Sequence, residues 1–346
     1  MRPRTSRRSL ISLSLPVSFA SVVAAAALAV GCDKSRPPEP TPASTPASAT
    51  PAAAASTNAG SLAVSKPAPE RIVAIGDLHG DLDATRRAFR LAGAIDDKDA
   101  WVGGKLVVVQ TGDVVDRGDD DRKILDLIER LKGEAAKAGG EFVALVGNHE
   151  IMNAELDFRY VTRGAFSSFT DVSPKDERMA ETAQKVDSSQ RGRAAAFLPS
   201  GPYAKMLAQR PVVARVGDTI FVHGGVLPKH VKSGLDAIND GTRKWLLGET
   251  RALPKEITSE DGLLWTRMYS ASPGPSECKT LDETLKALSA KRMVMGHTPQ
   301  KPDISAACDE KAWRIDTGMS KHYGGPVEVL EIRGDAVKVL KEEPVR

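Results

Sequence analysis

The sequence predicts an α/β domain with a parallel sheet at its core, on three observations. Short apolar runs at residues 71–75, 106–110 and 142–146 have the length and composition of buried strands. Segments with helical periodicity separate these runs, as the crossovers of parallel strands require. Each run ends at a loop rich in Gly, Asp, His, Asn or Arg. In open α/β sheets, functional sites gather at the carboxyl ends of strands, so these loops are expected to form one site.

The first 31 residues predict an export signal. Residues 1–8 hold four arginines and no acid, and residues 10–30 are apolar and uncharged. The segment Leu28–Cys32 is similar to a bacterial lipoprotein box, in which Cys32 carries the lipid. An uncleaved membrane anchor is the alternative, and Arg7-Arg8 resembles a twin-arginine signal or supplies ordinary charges. Either way, we expect the rest of the chain to be exported to the bacterial cell envelope. A lipid on Cys32 would anchor it on the periplasmic side of the inner or the outer membrane.

Residues 32–69 predict a disordered tether, and residues 70–346 a single catalytic domain. The tether is rich in Pro, Ala and Ser, which cannot bury enough apolar surface to fold. The remaining length suits one domain with a sizeable core. The net charge of +3 includes the basic signal, so no nucleic-acid partner is expected. The oligomeric state stays open.

The elements of the domain follow in order along the chain. Helices are predicted over 81–94 and 123–138, the second with apolar residues at i, i+3, i+4 and i+7. A polar, arginine-containing stretch over 152–210 predicts a helical insertion, with a helix starting at Ser173-Pro174. This insertion either covers the core or selects the substrate.

Strands and turns dominate the second half. Runs at 212–216 and 219–222 predict a hairpin turning at Gly217-Asp218. The segment Thr280-Leu281-Asp282-Glu283 has the pattern of a capping box and predicts the start of a helix. A further strand is predicted over 292–295, and a closing hairpin over 327–332 and 336–340.

Six side chains in the loops form a candidate set of metal ligands. Carboxylate, amide and imidazole groups together suit hard and borderline divalent metals. A carboxylate shared by two ions, for which we choose Asp113, can hold them close together. His230 is predicted to lie at the surface, and His322 is left unassigned. The predicted ligands are Asp77, His79, Asp113, Asn148, His223 and His297.

Further residues predict phosphate chemistry. Arg117 follows Asp113 in the same loop, and a guanidinium can bind two phosphate oxygens at once. Arg267 is the second candidate on the strength of the other motifs, and an ordinary surface arginine beside a core Trp is the alternative. His149 would protonate a leaving oxygen, and Asp116 would orient its ring.

Taken in order, the loop motifs resemble the phosphoprotein phosphatase family of metallophosphoesterases, and most of all its Shewanella-like branch. The resemblance implies a two-sheet αββα sandwich of the calcineurin-like type. It implies two divalent ions (Mn, Fe or Zn), one held by Asp77, His79 and Asp113. The other would be held by Asp113, Asn148, His223 and His297. It also implies phosphate binding by Arg117 and Arg267. The motifs are Gly-Asp-Leu-His-Gly, Gly-Asp-Val-Val-Asp-Arg-Gly, Gly-Asn-His-Glu, His-Gly-Gly, Leu-Trp-Thr-Arg and Gly-His-Thr.

With Cys32 assigned to the lipid, Cys278 and Cys308 remain. An even pair in an exported domain is a candidate disulfide, although two free buried thiols are the alternative.

The expected function is a two-metal phosphomonoesterase. It would hydrolyse phosphoserine, phosphothreonine or phosphotyrosine in proteins by in-line attack of a metal-bridging hydroxide. Two alternatives would also be metal-dependent hydrolases, namely a dinucleoside polyphosphate hydrolase and a general phosphate-scavenging esterase. A third alternative has no catalytic activity, namely a tethered binding protein with an inactive metal site.

Overall fold

Two β-sheets stack face to face in the computed structural model, which describes residues 65–342. The predicted export signal, Cys32 and nearly all of the predicted tether lie outside the described residues. Within residues 65–342, no helix combines the length and the apolar composition needed to cross a membrane. The strands are β1 (Ser65–Lys66), β2 (Ile72–Ile75), β3 (Val107–Gln110), β4 (Glu141–Ala144), β5 (Val213–Val216), β6 (Thr219–Val222), β7 (Arg292–Met295), β8 (Ser305–Ala307), β9 (Ala312–Arg314), β10 (Glu328–Arg333) and β11 (Ala336–Lys341).

One sheet has five strands in the order β11-β10-β2-β3-β4, and the other has six in the order β1-β5-β6-β7-β9-β8. Strands β2, β3 and β4 are parallel, as the sequence predicts, whereas β10 joins β2 antiparallel. The second sheet is mixed, because β5–β6 and β8–β9 pair antiparallel while β6, β7 and β9 run parallel. Apolar residues from both sheets, such as Val109, Phe221 and Leu330, form a shared core between them.

Helices cover the outer faces and complete an αββα sandwich. A second core joins the outer faces of the sheets to these helices, with Ile75, Phe89 and Leu285 among its members. The helices are α1 (Leu82–Leu91), α2 (Asp121–Lys137), α3 (Asn148–Ala154), α4 (Arg163–Ser167), α5 (Glu177–Ala183), α6 (Arg191–Phe197), α7 (Pro202–Leu207), α8 (Pro228–Ser233), α9 (Leu235–Leu246), α10 (Lys255–Thr258) and α11 (Pro275–Ala287), with a 3₁₀ turn at Ser188–Gln190.

A short strand, β1, lies just before residue 70, the predicted start of the domain. Strand β1 pairs in parallel with β5, with Ser65 opposite Arg215 and Lys66 opposite Val216. Lys66 also forms an ion pair with Glu141 of the other sheet. A strand of two residues is too short to show an alternation of apolar and polar side chains. The residues that flank it in the sequence have the same composition as the tether. The sequence therefore gives no signal for it.

Two helix starts differ from the sequence prediction because other residues cap them. Helix α11 begins at Pro275 rather than at the Thr280 capping box, and the Glu277 side chain accepts a hydrogen bond from the Gly274 N–H at 2.8 Å. Helix α5 begins at Glu177, because the side chain of Asp176 accepts from the Met179 N–H at 2.8 Å. The polar stretch 152–210 does contain helices, as predicted, namely α4 to α7.

Candidate metal centre and active site

The loops that follow β2, β3, β4, β6 and β7 converge at one edge of the sandwich. Their predicted ligands are nearly all out of contact with solvent, each side chain being at most 6% exposed. Asp113 lies at the centre, since one of its carboxylate oxygens is 3.9 Å from His79 Nε2 and 3.3 Å from His223 Nε2. The structure thus brings the predicted ligands together around this carboxylate.

The donor atoms fall into two groups that share Asp113. One holds His79, Asp113 and His149, and the other holds Asp113, His223 and His297, with the donors of each group within 4.8 Å of one another. Asp77 joins the first through an oxygen 3.9 Å from His79 Nε2. Donors that bind one metal at about 2.1 Å are themselves separated by about 3–3.5 Å. The donors of each group lie at or somewhat beyond this spacing, so each group would hold one divalent ion after a small inward shift.

Asn148 joins the second group, because its Oδ1 is 2.9 Å from His223 Nε2. Its side-chain oxygen faces the donors rather than solvent. An amide oxygen beside imidazoles and a carboxylate is a donor set suited to Mn, Fe or Zn.

Backbone carbonyls fix which nitrogen of each histidine faces the centre. The Nδ1–H of His79 points at the Val115 carbonyl at 3.2 Å, and that of His223 at the Thr111 carbonyl at 2.9 Å. His297 is reversed, since its Nε2 is 3.1 Å from the Trp265 carbonyl. Such second partners orient metal-binding imidazoles. They leave Nε2 of His79 and His223, and Nδ1 of His297, free to bind metal.

The charge of the centre also suits cations. Burial raises the pKa of Asp77 well above its usual value, helped by the negative charge of Asp316. Burial likewise raises the pKa of Asp316 to about 6, and its Oδ2 has no hydrogen-bond partner within residues 65–342. Burial lowers the pKa of His79 to about 4, which keeps that ring in the neutral, metal-binding form. Burial alone would lower the pKa of His223, but the charge of Asp113 raises it. Clustered buried carboxylates need positive charge beside them, which a bound cation would supply.

Two glycines let the ligand loops approach this closely. A Cβ on Gly147 would lie 2.2 Å from Asp113 Oδ1, and one on Gly296 would lie 2.3 Å from Asp77 Oδ1. No side chain fits at either position. Five other site residues hold a left-handed backbone that non-glycine residues rarely adopt, as strained functional loops often do. They are His79 (φ 46°), Asp113 (φ 55°), Asp116 (φ 74°), Arg117 (φ 71°) and His297 (φ 68°).

His149 and Asp116 form a buried pair beside the donors. The Nδ1–H of His149 donates to Asp116 Oδ2 at 2.6 Å, and His149 Nε2 is 3.7 Å from Asp113 Oδ2. Burial alone would lower the pKa of His149, but the charges of Asp113 and Asp116 raise it to about 9. The free Nε2 therefore carries a proton toward the centre.

A buried network behind this pair was not predicted from the sequence. The side chain of Arg193, on α6, is fully buried, and its Nη2 lies 3.2 Å from Asp116 Oδ1 and 2.6 Å from Asp121 Oδ2. Its Nε donates to Asn153 Oδ1 at 2.7 Å, and Asn153 donates to Asp116 Oδ1 at 2.9 Å. The sequence shows Arg193 as one of several arginines in a polar stretch, so nothing there distinguishes it.

The two arginines predicted to bind phosphate differ in how their side chains are packed. Arg117 stacks on Tyr160, with Cζ 3.8 Å from the ring centroid, and its backbone N–H donates to the Tyr160 carbonyl at 3.0 Å. Its buried Nε has no partner among the described residues. Arg267 is exposed, yet it is close enough to His297 to add to the burial that lowers the pKa of that ring to about 2.

Glu150 supports the loops from beneath. Its carboxylate accepts from the backbone N–H groups of Asp113 at 3.0 Å, Val114 at 2.8 Å and Gly147 at 2.7 Å. It thereby ties the loop after β3 to the loop after β4. Glu150 thus shapes the site through the backbone of Asp113 and of its neighbours, not through their side chains.

The remaining two histidines, His230 and His322, do not belong to either group of clustered donors. The prediction that His230 lies at the surface is wrong, because its side chain is fully buried and its Nδ1 accepts from the Leu227 N–H at 3.0 Å. The ring caps the start of α8, a role that a lone histidine in the sequence does not reveal. His322 is exposed and packs edge-on against Tyr323.

Cys278 and Cys308 are joined by a disulfide with a Cα–Cα distance of 5.1 Å. The bond links α11 to the turn between β8 and β9. It closes a loop that contains β7 and His297.

Comparison with known proteins agrees with this geometry. The calcineurin-like phosphoesterase family model matches residues 70–301. Shewanella-like protein phosphatase 2 of Arabidopsis thaliana is 42% identical over 308 residues, covering 80% of this chain and 79% of that protein. Shewanella-like protein phosphatase 1 of Plasmodium berghei is 31% identical over 283 residues, covering 78% and 74%.

A solved structure shows the same fold. The cold-active protein-tyrosine phosphatase of a psychrophilic Shewanella superposes with a TM-score of 0.61 at 21% identity, covering 83% of this chain and 85% of that one. The chain belongs to the calcineurin-like phosphoesterase family, in its Shewanella-like protein phosphatase branch, and is a metal-dependent phosphatase.

Proposed function

We propose that this protein hydrolyses phosphoserine, phosphothreonine or phosphotyrosine in proteins by direct in-line attack at phosphorus. The observation that carries the proposal is the position of His149. Its Nε2 is 3.7 Å from Asp113, the carboxylate that both donor groups share. A proton donor therefore faces the place where a phosphate ester would meet two metals.

The metal donors would be Asp77, His79 and Asp113 for one ion and Asp113, Asn148, His223 and His297 for the other. When bound, two such cations lower the pKa of water and offset phosphate charge, which makes hydroxide available near neutral pH. The protein then needs no nucleophilic side chain of its own, and no phosphoenzyme is expected.

Arg117 and Arg267 would bind the phosphate oxygens. The guanidinium of Arg117 is held in place by Tyr160, and a preorganised cation stabilises the charge that spreads over phosphoryl oxygens during transfer. Arg267 is close enough to His297 to lower the pKa of that ring. The two arginines would hold the phosphate between them.

His149 would donate its Nε2 proton to the leaving oxygen. Asp116 accepts from Nδ1 and keeps the ring charged and oriented. This is the arrangement that an alkoxide leaving group such as serine requires.

A cavity beside the site supports a peptide substrate. Its volume is about 520 Å³, and Pro299, Pro302, Tyr323 and Pro326 are among its lining residues. The Tyr323 ring lies 5.3 Å from the His79 ring, so the cavity adjoins the metal donors. An apolar cavity next to a phosphate site suits the residues flanking a phosphorylated side chain. The names of the related phosphatases favour the same substrate class.

The test is turnover of defined substrates by manganese-loaded protein. Peptides with phosphoserine, phosphothreonine or phosphotyrosine are compared with diadenosine tetraphosphate and with β-glycerophosphate. We expect rapid release of phosphate from at least one peptide. Turnover of the dinucleotide alone, or equal turnover of all small esters, would replace the proposal with one of the two alternative hydrolase functions.

We further propose that the chain is exported and anchored by a lipid on Cys32 at the periplasmic side of a bacterial membrane. The basic and apolar signal that ends at Gly31-Cys32 supports this. Cys32→Ser should move the protein from the membrane fraction to the soluble periplasmic fraction. Membrane attachment that survives Cys32→Ser would favour an uncleaved anchor.

A further inference from the structure

The cavity beside the active site is formed by two loops. The loop after β7, which carries His297, contributes Pro299 and Pro302. The loop between β9 and β10 contributes Tyr323 and Pro326. The volume of about 520 Å³ lies within the range of about 300–1,000 Å³ that is usual for ligand sites. The cavity is therefore large enough to take a side chain of a bound substrate.

Tyr323 joins this cavity to the active site. The centroid of its ring is 5.3 Å from that of His79 and 5.9 Å from Arg117 Cζ. The ring of His322 packs edge-on against it, with the centroids 4.7 Å apart. An extended peptide advances by about 3.3–3.6 Å per residue. A substrate residue within about three positions of the phosphorylated one would therefore reach the cavity.

The ring of Tyr323 is only partly covered by the fold. The residue is 37% exposed, and among the described residues the other large apolar side chains with such exposure are Val102 and Met268. Single exposed apolar residues are common on protein surfaces. This one, however, lines a cavity at the edge of an active site, where its ring is available to a substrate.

The polar groups around the cavity already have hydrogen-bond partners within the protein. The Thr317 hydroxyl donates to the Pro326 carbonyl at 2.7 Å, and the Gly325 N–H donates to the Gly318 carbonyl at 2.8 Å. The side-chain amide of Gln300 donates to two backbone carbonyls, at 2.6 Å and 3.0 Å. These bonds fix both loops, so the wall of the cavity is preformed and offers mainly apolar surface.

The charges around the cavity favour an aromatic occupant over an acidic one. Within the described residues, Lys301 is the one charged residue that lines it, and no carboxylate does. Lys301 is exposed, and an ion pair at an exposed position adds little. A lysine ammonium also attracts the face of an aromatic ring. The ring of Tyr323 in turn favours aromatic partners in an offset or edge-to-face arrangement.

We propose that this cavity binds an aromatic side chain of the phosphoprotein substrate, one to three residues from the phosphorylated residue, and that Tyr323 selects it. The bound ring packs against Tyr323 and against the prolines of the two loops. The inference rests on the proposed phosphoprotein substrate and adds a sequence preference to it.

The test compares phosphopeptides that differ at one position, using the manganese-loaded full chain. An alanine-based peptide carries the phosphorylated residue that the enzyme hydrolyses fastest. Phe, Leu or Glu then replaces Ala at each of the three positions on either side. We expect Phe at one of these positions to raise kcat/KM at least about tenfold over Ala, mainly through a lower KM. Leu should give a smaller rise and Glu none.

Two variants of Tyr323 and one control assign this preference to the cavity. The preference is the ratio of kcat/KM for the Phe and Ala peptides within one protein, so a general change in activity cancels. Tyr323→Ala should bring this ratio close to unity, whereas Tyr323→Phe, which keeps the ring, should retain it. Val102→Ala should retain it as well, because it removes an exposed apolar side chain that does not line the cavity.

The results that would overturn the proposal differ in what else they change. Turnover of phosphopeptides without a preference for Phe, or with an equal preference for Leu or Glu, would leave the phosphatase function without this subsite. A preference for Phe that survives in Tyr323→Ala would place the aromatic residue elsewhere. Hydrolysis of diadenosine tetraphosphate or β-glycerophosphate without turnover of any phosphopeptide would remove the proposed function and this inference together.

Discussion

The motif loops and the helical insertion both reach the active site, but they are supported in different ways. The motif loops are held mainly by the backbone, through the N–H groups that donate to Glu150 and the carbonyls that orient the histidines. The insertion reaches the site through a few side chains, chiefly Arg193, which contacts Asp116 and Asp121, and Tyr160, on which Arg117 stacks. Backbone support is spread over many groups, whereas only Arg193 of the insertion supplies a cation to these two acids. The catalytic pair is therefore more vulnerable to a single change in the insertion than the metal loops are to most single changes around them.

We expect the largest loss of activity from a substitution of Asp113, the ligand that both donor groups share. Asp113→Asn removes the carboxylate that joins both donor groups. Metal content should fall, and kcat should fall by at least about a thousandfold. Metal analysis and phosphopeptide turnover measure both quantities. A variant that keeps two metals and normal turnover would show that the two groups do not depend on Asp113.

His149→Asn separates acid catalysis from metal binding. Metal content should stay unchanged, while kcat falls by about 10²–10⁴-fold on phosphoserine peptides, as for loss of a general acid. The fall should be much smaller for p-nitrophenyl phosphate, because its leaving group needs no proton. Equal losses on the two substrates would argue against an acid role, and lost metal would make His149 a ligand.

Arg193→Met tests the dependence on the insertion. It would leave the carboxylates of Asp116 and Asp121 buried without their cation, which should lower the free energy of unfolding by about 3–5 kcal/mol and lower kcat. Arg191→Met, on the exposed side of the same helix, is the matched control. Urea unfolding measures stability, and a neutral Arg193→Met would mean that the network contributes nothing.

The pH dependence of stability tests the protonation state of the buried Asp121 carboxyl group. The expected effect is smaller than that of Arg193→Met, but it concerns a single group. Burial raises the pKa of Asp121 to about 6 in the folded protein, above the value of about 3.9 expected when unfolded. The folded state then binds more protons between these values. The contribution of Asp121 to stability should therefore be largest below about pH 4 and be lost as the pH rises through about 6.

Comparison with Asp121→Asn isolates this contribution. The wild type should lose about 2–3 kcal/mol relative to the variant between about pH 4 and pH 7. Urea unfolding of both proteins across this range provides the measurement. A constant difference would show that Arg193 keeps Asp121 ionised throughout.

The sequence predicts those parts of the fold and of the site that depend on short local motifs. The ligands lie directly after apolar strands, so strand position and residue type suffice to place Asp77, Asn148 and His297 at one edge. The parallel strands β2 to β4 and the closing hairpin follow from the same periodicity.

What the sequence leaves out depends on contacts between distant segments. Arg193 and Asp121 become partners only when the insertion folds over the loop after β3. The burial of His230 and the formation of strand β1 both depend on contacts with residues that are distant in the sequence. No local sequence pattern identifies these residues. Helix α11 starts early because Glu277 caps it, and the later Thr280 pattern is an equally good local signal.

The position of Arg193 also bears on the order in which the chain is made. A ribosome completes Asp116, Asp121 and His149 before it reaches the insertion, and His297 comes later still. A nascent chain that stops before Arg193 lacks the cation that pairs with Asp116 and Asp121, and it also lacks His223 and His297. The ligand set is therefore complete only when most of the domain has been synthesised.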